Sequence, residues 1–448
     1  MQAQPEVRYA RNGDAEIAYQ VVGDGPVDLV YLPPWGNLVW NWEWPPYAQF
    51  LRRLASFSRL IVIDRRGFGC SSGTGPAPSL EDEVDDLFAV IEDAQGPQPT
   101  IFAADTSFST LLAAATHPDR LSRLILFNGQ AAGTMTEDQP WLSSADMWDH
   151  RLKVFERVTR VRERVEQYVR LLEPSVHDDP GYFDWALRMF PLNCTPKTWV
   201  TYMQRERATD LTAALPSIQL PTLLLYRPER LVRASETRAG SRFLAERIAN
   251  TKLVECPGED SAPWVGDSDA IADAIEDYLV GAPTAREPTR ALATVLFTDI
   301  VDSTRMAASL GDARWRDLLA GHHERARAAI AAHRGREIDS TGDSFLATFD
   351  GPARAVQCAM EICRTVRDLE IEVRTGCHTG EVERTPEGIR GIAVHIGARV
   401  SALAGPGEVL VSQTVRDLTA GSGLRFEDAG EHELKGVPDL WTLYRVLD

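Results

Sequence analysis

The 448 residues exceed what a single hydrophobic core comfortably holds, so two or three folded units are expected. At 44% hydrophobic and 25% charged, the usage is that of ordinary globular chains, which excludes disordered, collagen-like and coiled-coil classes. The net charge of -18 divides at Arg290 into 29 basic and 41 acidic residues before it and 18 and 24 after it, so neither half offers the basic stripe that nucleic-acid binding requires. No apolar run approaches the roughly 20 residues of a membrane span, and Met1–Arg11 lacks the pattern of a secretory signal, so a cytoplasmic location is expected. Six scattered cysteines without a CxxC pair predict reduced thiols rather than zinc ribbons or disulfides.

In chain order, the apolar runs Val27–Leu32, Leu60–Asp64, Thr100–Ala104, Arg123–Phe127, Thr222–Tyr226 and Leu253–Cys256 have strand length, and helical patterns separate most of them. That alternation predicts a parallel sheet covered on both faces. Residues 130–216 break it with helix-spaced apolar positions such as Val165, Tyr168 and Leu172, which predicts an inserted helical cap. The stretch GAPTAREPTR, with two prolines and alternating charges, predicts a linker over 282–290 between domains 1–281 and 291–448. Beyond it the order becomes strand (Thr294–Asp299), long helix (Arg314–Ala332), hairpin around Ser340–Asp343, helix (Pro352–Arg367), strand (Val373–Thr379) and helix (Val394–Leu403), an α+β pattern.

The motifs VIDRRGFGCSS (Val62–Ser72), AATHPDRLSRLILFN (Ala114–Asn128), PTLLLY (Pro221–Tyr226) and CPGEDSAPW (Cys256–Trp264) carry a resemblance of residues 1–281 to the α/β-hydrolase family. The family's chemistry needs a nucleophile at G-x-S-x-G, a His base and an orienting acid. Here Asp105 stands at the serine position without the flanking glycines, Ser261 follows Gly258-Glu259-Asp260 where the histidine belongs, and Arg230 (or Glu229) falls where the acid belongs. Asp105 reads either as a helix cap or as an aspartate nucleophile. The expectation is a degenerate hydrolase whose pocket still takes a small apolar ligand. The tryptophans of Trp35–Trp44 either line its mouth or pack the core.

The blocks FTDIVDST (Phe297–Thr304), DSTGDSFLATF (Asp339–Phe349), GIAVHIGARV (Gly391–Val400), GEVLVS (Gly407–Ser412) and HELKGV (His432–Val437) resemble the class III nucleotide cyclases. The whole chain is similar to the actinobacterial, mycobacterial-type fusions of a hydrolase-like domain with such a cyclase. Cyclising a nucleoside triphosphate charges both the attacking and the leaving oxygen, which two metal ions best offset. Asp299 at a strand end and Asp343 at a hairpin tip are the carboxylates that Mg²⁺ or Mn²⁺ would take. The amides running through Ser303 into a helix would meet phosphate.

The resemblance further implies a ferredoxin-like core, the Ile300 carbonyl as a metal ligand, Arg399 on the α-phosphate, His395 in place of the ribose-orienting asparagine, and Lys435 on the β/γ-phosphates. It also implies a homodimer with shared active sites. Asp339 and Gly388 occupy the base-selecting positions and depart from the adenine-selective pattern, so weak choice between ATP and GTP is expected. The leading reading is a cyclase regulated by a pseudo-hydrolase. The rivals are a nucleotide-binding module without turnover and a working hydrolase using Asp105 or Ser107.

Overall fold

The computed structural model describes residues 4–73, 77–96, 98–105, 108–157, 161–228, 234–280, 290–385 and 388–447. The chain divides into two compact units, Met1–Pro288 and Thr289–Asp448. The expected linker, apart from Arg290, lies outside the described residues.

The front unit has eight strands: β1 Arg8–Asn12, β2 Ala15–Val22, β3 Asp28–Leu32, β4 Arg59–Ile63, β5 Thr100–Ala104, β6 Arg123–Phe127, β7 Thr222–Tyr226 and β8 Thr251–Glu255. They form one sheet in the order β1-β2-β4-β3-β5-β6-β7-β8. β1, β2 and β4 pair antiparallel, and every pairing from β4 to β8 is parallel. β3, β5 and β7 are buried at every position, because helices cover both faces and leave no place for a polar row. The hairpin β1–β2 was not among the sequence expectations, since β1 is short and polar and Glu16 and Gln20 interrupt the apolar run of β2. Four helices, Ala145–Arg157, Val161–Leu172, Pro180–Asn193 and Pro196–Ala208, intervene between β6 and β7. The last two start from Asp179 and Thr195, whose side chains accept backbone N–H bonds ahead of an N1 proline.

The rear unit is a mixed sheet of β9 Arg290–Ile300, β10 Arg336–Thr341, β11 Ser344–Phe349, β12 Val373–Thr385, β13 Gly388–Arg390, β14 Val409–Ser412, β15 Arg425–Glu433 and β16 Leu440–Leu447. The order is β10-β11-β9-β12-β14-β16-β15, with β13 hairpinned onto β12. One face packs on the helices Asp312–Ala332, Pro352–Thr365 and Gln413–Leu418 through Leu296, Ile330, Val356 and Val415. The helix Ile392–Leu403 lies on the other face against β9 and β12. Its approach is close enough that a Cβ on Gly376 of β12 would sit 2.2 Å from the Ser401 amide nitrogen. None of the six cysteines is in a disulfide, and four of them are buried. Among the described residues no helix is long and apolar enough to cross a membrane.

Candidate active site and a buried cavity

In the rear unit β9 carries Asp299 next to its last residue, between β11 and β12. Antiparallel register sets Phe345 opposite Thr298, so the turn Gly342-Asp343 reaches the same strand end, and Ser344 Oγ donates to Asp299 Oδ1 at 3.3 Å. Asp343 Oδ2 is buried and accepts no hydrogen bond. An orphaned carboxylate oxygen beside a second carboxylate suits a hard cation, since an unpaired buried charge is costly. On the other side β12 sets Arg374 directly opposite Asp299. Its Nε donates to Asp299 Oδ2 at 3.0 Å and its Nη2 donates to the same oxygen. Arg374 was missed from the sequence, because only the strand register reveals a partner 75 positions away.

Ile300 is buried in the core by its side chain. Ser303 opens the helix Ser303–Leu310, preceded by Asp302 in the left-handed region at φ 55°. Beneath the hairpin, His322 is 0% exposed and both its ring nitrogens lack partners, with Phe345 edge-on at 5.6 Å. Burial, then the neighbouring His323, pushes its pKa down to about 4, against opposing pulls from the Asp343 backbone and from Asp299. Among the described residues no three His, Cys, Asp or Glu side chains gather to hold a metal, so the candidate set is two carboxylates and a main-chain carbonyl.

The remaining predicted residues form a second group. His395 and Arg399 are exposed one turn apart on the helix Ile392–Leu403, and Arg399 Nε donates to the Lys435 carbonyl at 3.2 Å. No hydrogen bond or ion pair joins this group to Asp299 or Asp343 among the described residues. Asp339 is exposed on β10, just past a bulge. Gly388 starts β13 at φ 140°, where a Cβ would meet Ile338 Cγ2 at 3.3 Å. Backbone geometry therefore accounts for that glycine without reference to a base.

In the front unit Asp105 follows β5 at φ 60°, and its N–H donates to the Phe127 carbonyl at 2.9 Å. Asp105 adopts the left-handed region, which aspartate tolerates better than most residues. Thr106, Ser107, Glu229 and Arg230 lie outside the described residues. The loop around Ser261 is clamped. Arg227, fully buried after β7, donates to the carbonyls of Asp260 (3.2 Å), Ala262 (3.1 Å), Val265 (2.7 Å) and Asp267 (3.3 Å). Ser261 N donates to Leu172 O at 2.7 Å, and Glu173 accepts from Ala262 N at 3.1 Å. Ser261 is 2% exposed, and its Oγ lacks a partner.

A cavity of about 790 Å³ opens above the sheet's C-terminal ends, walled by Trp35, Tyr168, Phe190, Trp199 and Tyr202 and reaching Asp105, Asn128, Arg65 and Arg164. Ser261 is not in its wall. Of the tryptophan-rich segment only Trp35 lines it, while Trp44 stacks in the core on Trp185. A serine buried in a pinned loop outside the cavity cannot replace the missing base.

Residues 287–447 match the family model of the adenylate and guanylate cyclase catalytic domain. A Rhizobium meliloti (strain 1021) protein provisionally named an adenylate cyclase is 30% identical over 172 residues, 34% of this chain and 28% of that protein's length. The chain thus spans little more than a quarter of that relative. A pimeloyl-[acyl-carrier protein] methyl ester esterase of Pectobacterium carotovorum is 27% identical over 267 residues, 58% of this chain and 97% of the esterase. The crystal structure of a Pseudomonas aeruginosa hydrolase covers 62% of this chain and 99% of its own at a TM-score of 0.51 and 21% identity, a likeness of fold. Residues 287–447 are therefore a catalytic domain of the adenylate and guanylate cyclase family, and the unit before them has the α/β-hydrolase fold.

Proposed function

We propose that this protein is a cytoplasmic, homodimeric nucleotidyl cyclase that converts a purine nucleoside triphosphate, ATP before GTP, to its 3′,5′-cyclic nucleotide and pyrophosphate. In this reading the front unit is a chemically silent, ligand-binding regulator. The observation that carries it is the strand-end pair Asp299 and Asp343, with the buried Asp343 Oδ2 unpartnered, inside a domain of the cyclase family. Asp299, Asp343 and the Ile300 carbonyl would hold two Mg²⁺ or Mn²⁺ ions. Bound there, such ions supply charge compensation to the triphosphate and acidify the 3′-hydroxyl. Arg374 occupies Asp299 until that charge arrives. Arg399 balances charge on the α-phosphate, His395 orients the ribose, Lys435 pairs with the β/γ-phosphates, and the amides at Ser303 meet phosphate. Because one chain holds these as two unconnected groups, a complete site combines the carboxylates of one subunit with the arginine group of the other.

Product analysis of the full chain with ATP and with GTP under Mn²⁺ tests the reading. Cyclic product is expected, with the two purines differing by less than about a hundredfold in kcat/KM, since Asp339 and Gly388 supply few discriminating hydrogen bonds. Asp343→Asn should remove all but about a tenth of the rate or less. Nucleotide binding without product would favour the non-catalytic module instead. The rival of a working hydrolase rests on the turn at Asp105, and ester turnover lost in Asp105→Asn would establish it.

A further inference from the structure

The hairpin β10–β11, which presents Asp343, lies at the margin of the rear sheet. β10 is the last strand on its side and pairs with β11 through a register shift between Glu337 and Asp339. Thr341 pairs with Ser344, which leaves Gly342 and Asp343 as a two-residue turn. Gly342 stands at φ 65°, where a Cβ would meet nothing within 4 Å, so packing does not fix the turn from that side. The peptide joining the two central residues is the one whose rotation interconverts turn types, and it carries the Gly342 carbonyl and the Asp343 N–H. Its orientation therefore sets the position from which the Asp343 side chain leaves the backbone.

A side chain takes hold of that peptide. His323, on the helix Asp312–Ala332, places Nε2 2.8 Å from the Gly342 carbonyl. A carbonyl can only accept, so Nε2 carries the proton and donates it. The His323 ring also lies edge-on to Phe345 of β11 at 5.1 Å, and His322 is buried against the same ring. One turn further along the helix, Arg327 holds the stem of the hairpin: it donates to both carboxylate oxygens of Glu337 at 2.8 and 2.9 Å and to Ser340 Oγ at 3.4 Å. The helix thus grips the hairpin at two levels, and the contact at the tip is the one made with the peptide bearing Asp343.

We propose that His323 is a positioning residue of the cyclase site: its Nε2–H fixes the Gly342–Asp343 peptide in the orientation that keeps the Asp343 carboxylate beside Asp299. The proposal rests on the reading of these two carboxylates as the metal-holding pair. Without the donor the turn divides between two orientations, and a cation that binds one of them meets only a fraction of competent sites. The net worth of one hydrogen bond shifts such a balance by about fivefold. Saturating metal restores the competent form, so weakened affinity with a preserved maximal rate is the signature of lost positioning.

Leucine and glutamine are both good helix formers, and of the two only glutamine keeps an N–H donor at the reach of Nε2. In the metal-free full chain, hydrogen exchange at the hairpin tip should quicken about fivefold in His323→Leu and stay at the wild-type rate in His323→Gln. Mn²⁺ titration, followed by paramagnetic resonance of the free ion, should show about fivefold weaker affinity in His323→Leu and wild-type affinity in His323→Gln. Cyclase kcat at saturating Mn²⁺ should stay within about twofold of wild type in both. Arg327→Gln, which loosens the stem, should leave Mn²⁺ affinity within about twofold. Unchanged exchange and affinity in folded His323→Leu, equal losses in the Leu and Gln variants, or an equal loss of affinity in Arg327→Gln would overturn the assignment. Should His323→Leu fail to fold, His323→Asn, polar but one bond too short to reach Gly342, takes its place with the same expectations. Mn²⁺ binding that survives Asp343→Asn would instead overturn the metal reading of the pair. Metal-free exchange of the position-323 variants would still decide whether His323 fixes the turn.

Discussion

Asp299 and Asp343 stand out in the sequence because each sits in a short motif whose neighbours form a strand end and a tight turn. Arg374 and Arg227 do not, since each acquires its role from a partner brought beside it by strand order. Individual titrating groups give a second check on the rear core. His378, in β12, is 4% exposed, shares a 2.8 Å hydrogen bond with Ser412 Oγ, and is pushed by burial down to a pKa of about 4. An ordinary histidine near 6.5 protonates first in the unfolded chain, so the stabilisation from neutral His378 is complete above pH 6.5 and is lost as pH falls toward 4. Hydrogen exchange of the β12 amides, corrected for intrinsic rates, should show about 2 kcal/mol less protection at pH 5 than at pH 7 from this group. His378→Gln should remove that part of the slope, and an unchanged slope would assign it elsewhere.

Elements behave less independently than their sequence patterns imply. The expected strands of the front sheet appear because uninterrupted apolar runs have few other ways to bury both faces. The loop after β8 obeys tertiary demands. Arg227 holds that loop with four carbonyl contacts and has its own charge destabilised by burial, with Asp260 opposing. Arg227→Met should therefore lower front-unit stability by about 3 kcal/mol or more, because buried carbonyls lose their donor and Asp260 its nearby cation. Thermal melting of the full chain would show an early transition, and a melting curve identical to wild type would mean that the loop has other supports. In the rear unit, Gly376→Ala drives a Cβ against backbone of the helix Ile392–Leu403, and neither element can yield cheaply. A loss of about 1–3 kcal/mol is expected, measurable as reduced exchange protection in β12 and that helix.

For the molecule as a whole, the absence of any hydrogen bond or ion pair, among the described residues, between Asp299 or Asp343 and His395, Arg399 or Lys435 makes the proposed dimer testable. Mixing inactive Asp299→Ala protein with inactive Arg399→Ala protein should restore cyclase activity, because one of the two shared sites then has both intact halves. Mixed dimers that form and stay inactive would rule out sites shared in this way. The same logic explains why the sequence carried both half-sets plainly but not their distance.

The sequence alone determined the two-unit organisation, the parallel character of the front sheet, and the cyclase likeness of the rear unit, because strand-length apolar runs and motif residues act locally. It also shows that Ser261, not a histidine, follows Gly258-Glu259-Asp260. Only tertiary structure decided that Ser261 is locked away from the cavity and that Arg374 rests on Asp299. Each depends on which strand end lies beside which. That order is set by packing many apolar side chains together, and no one stretch of chain contains it.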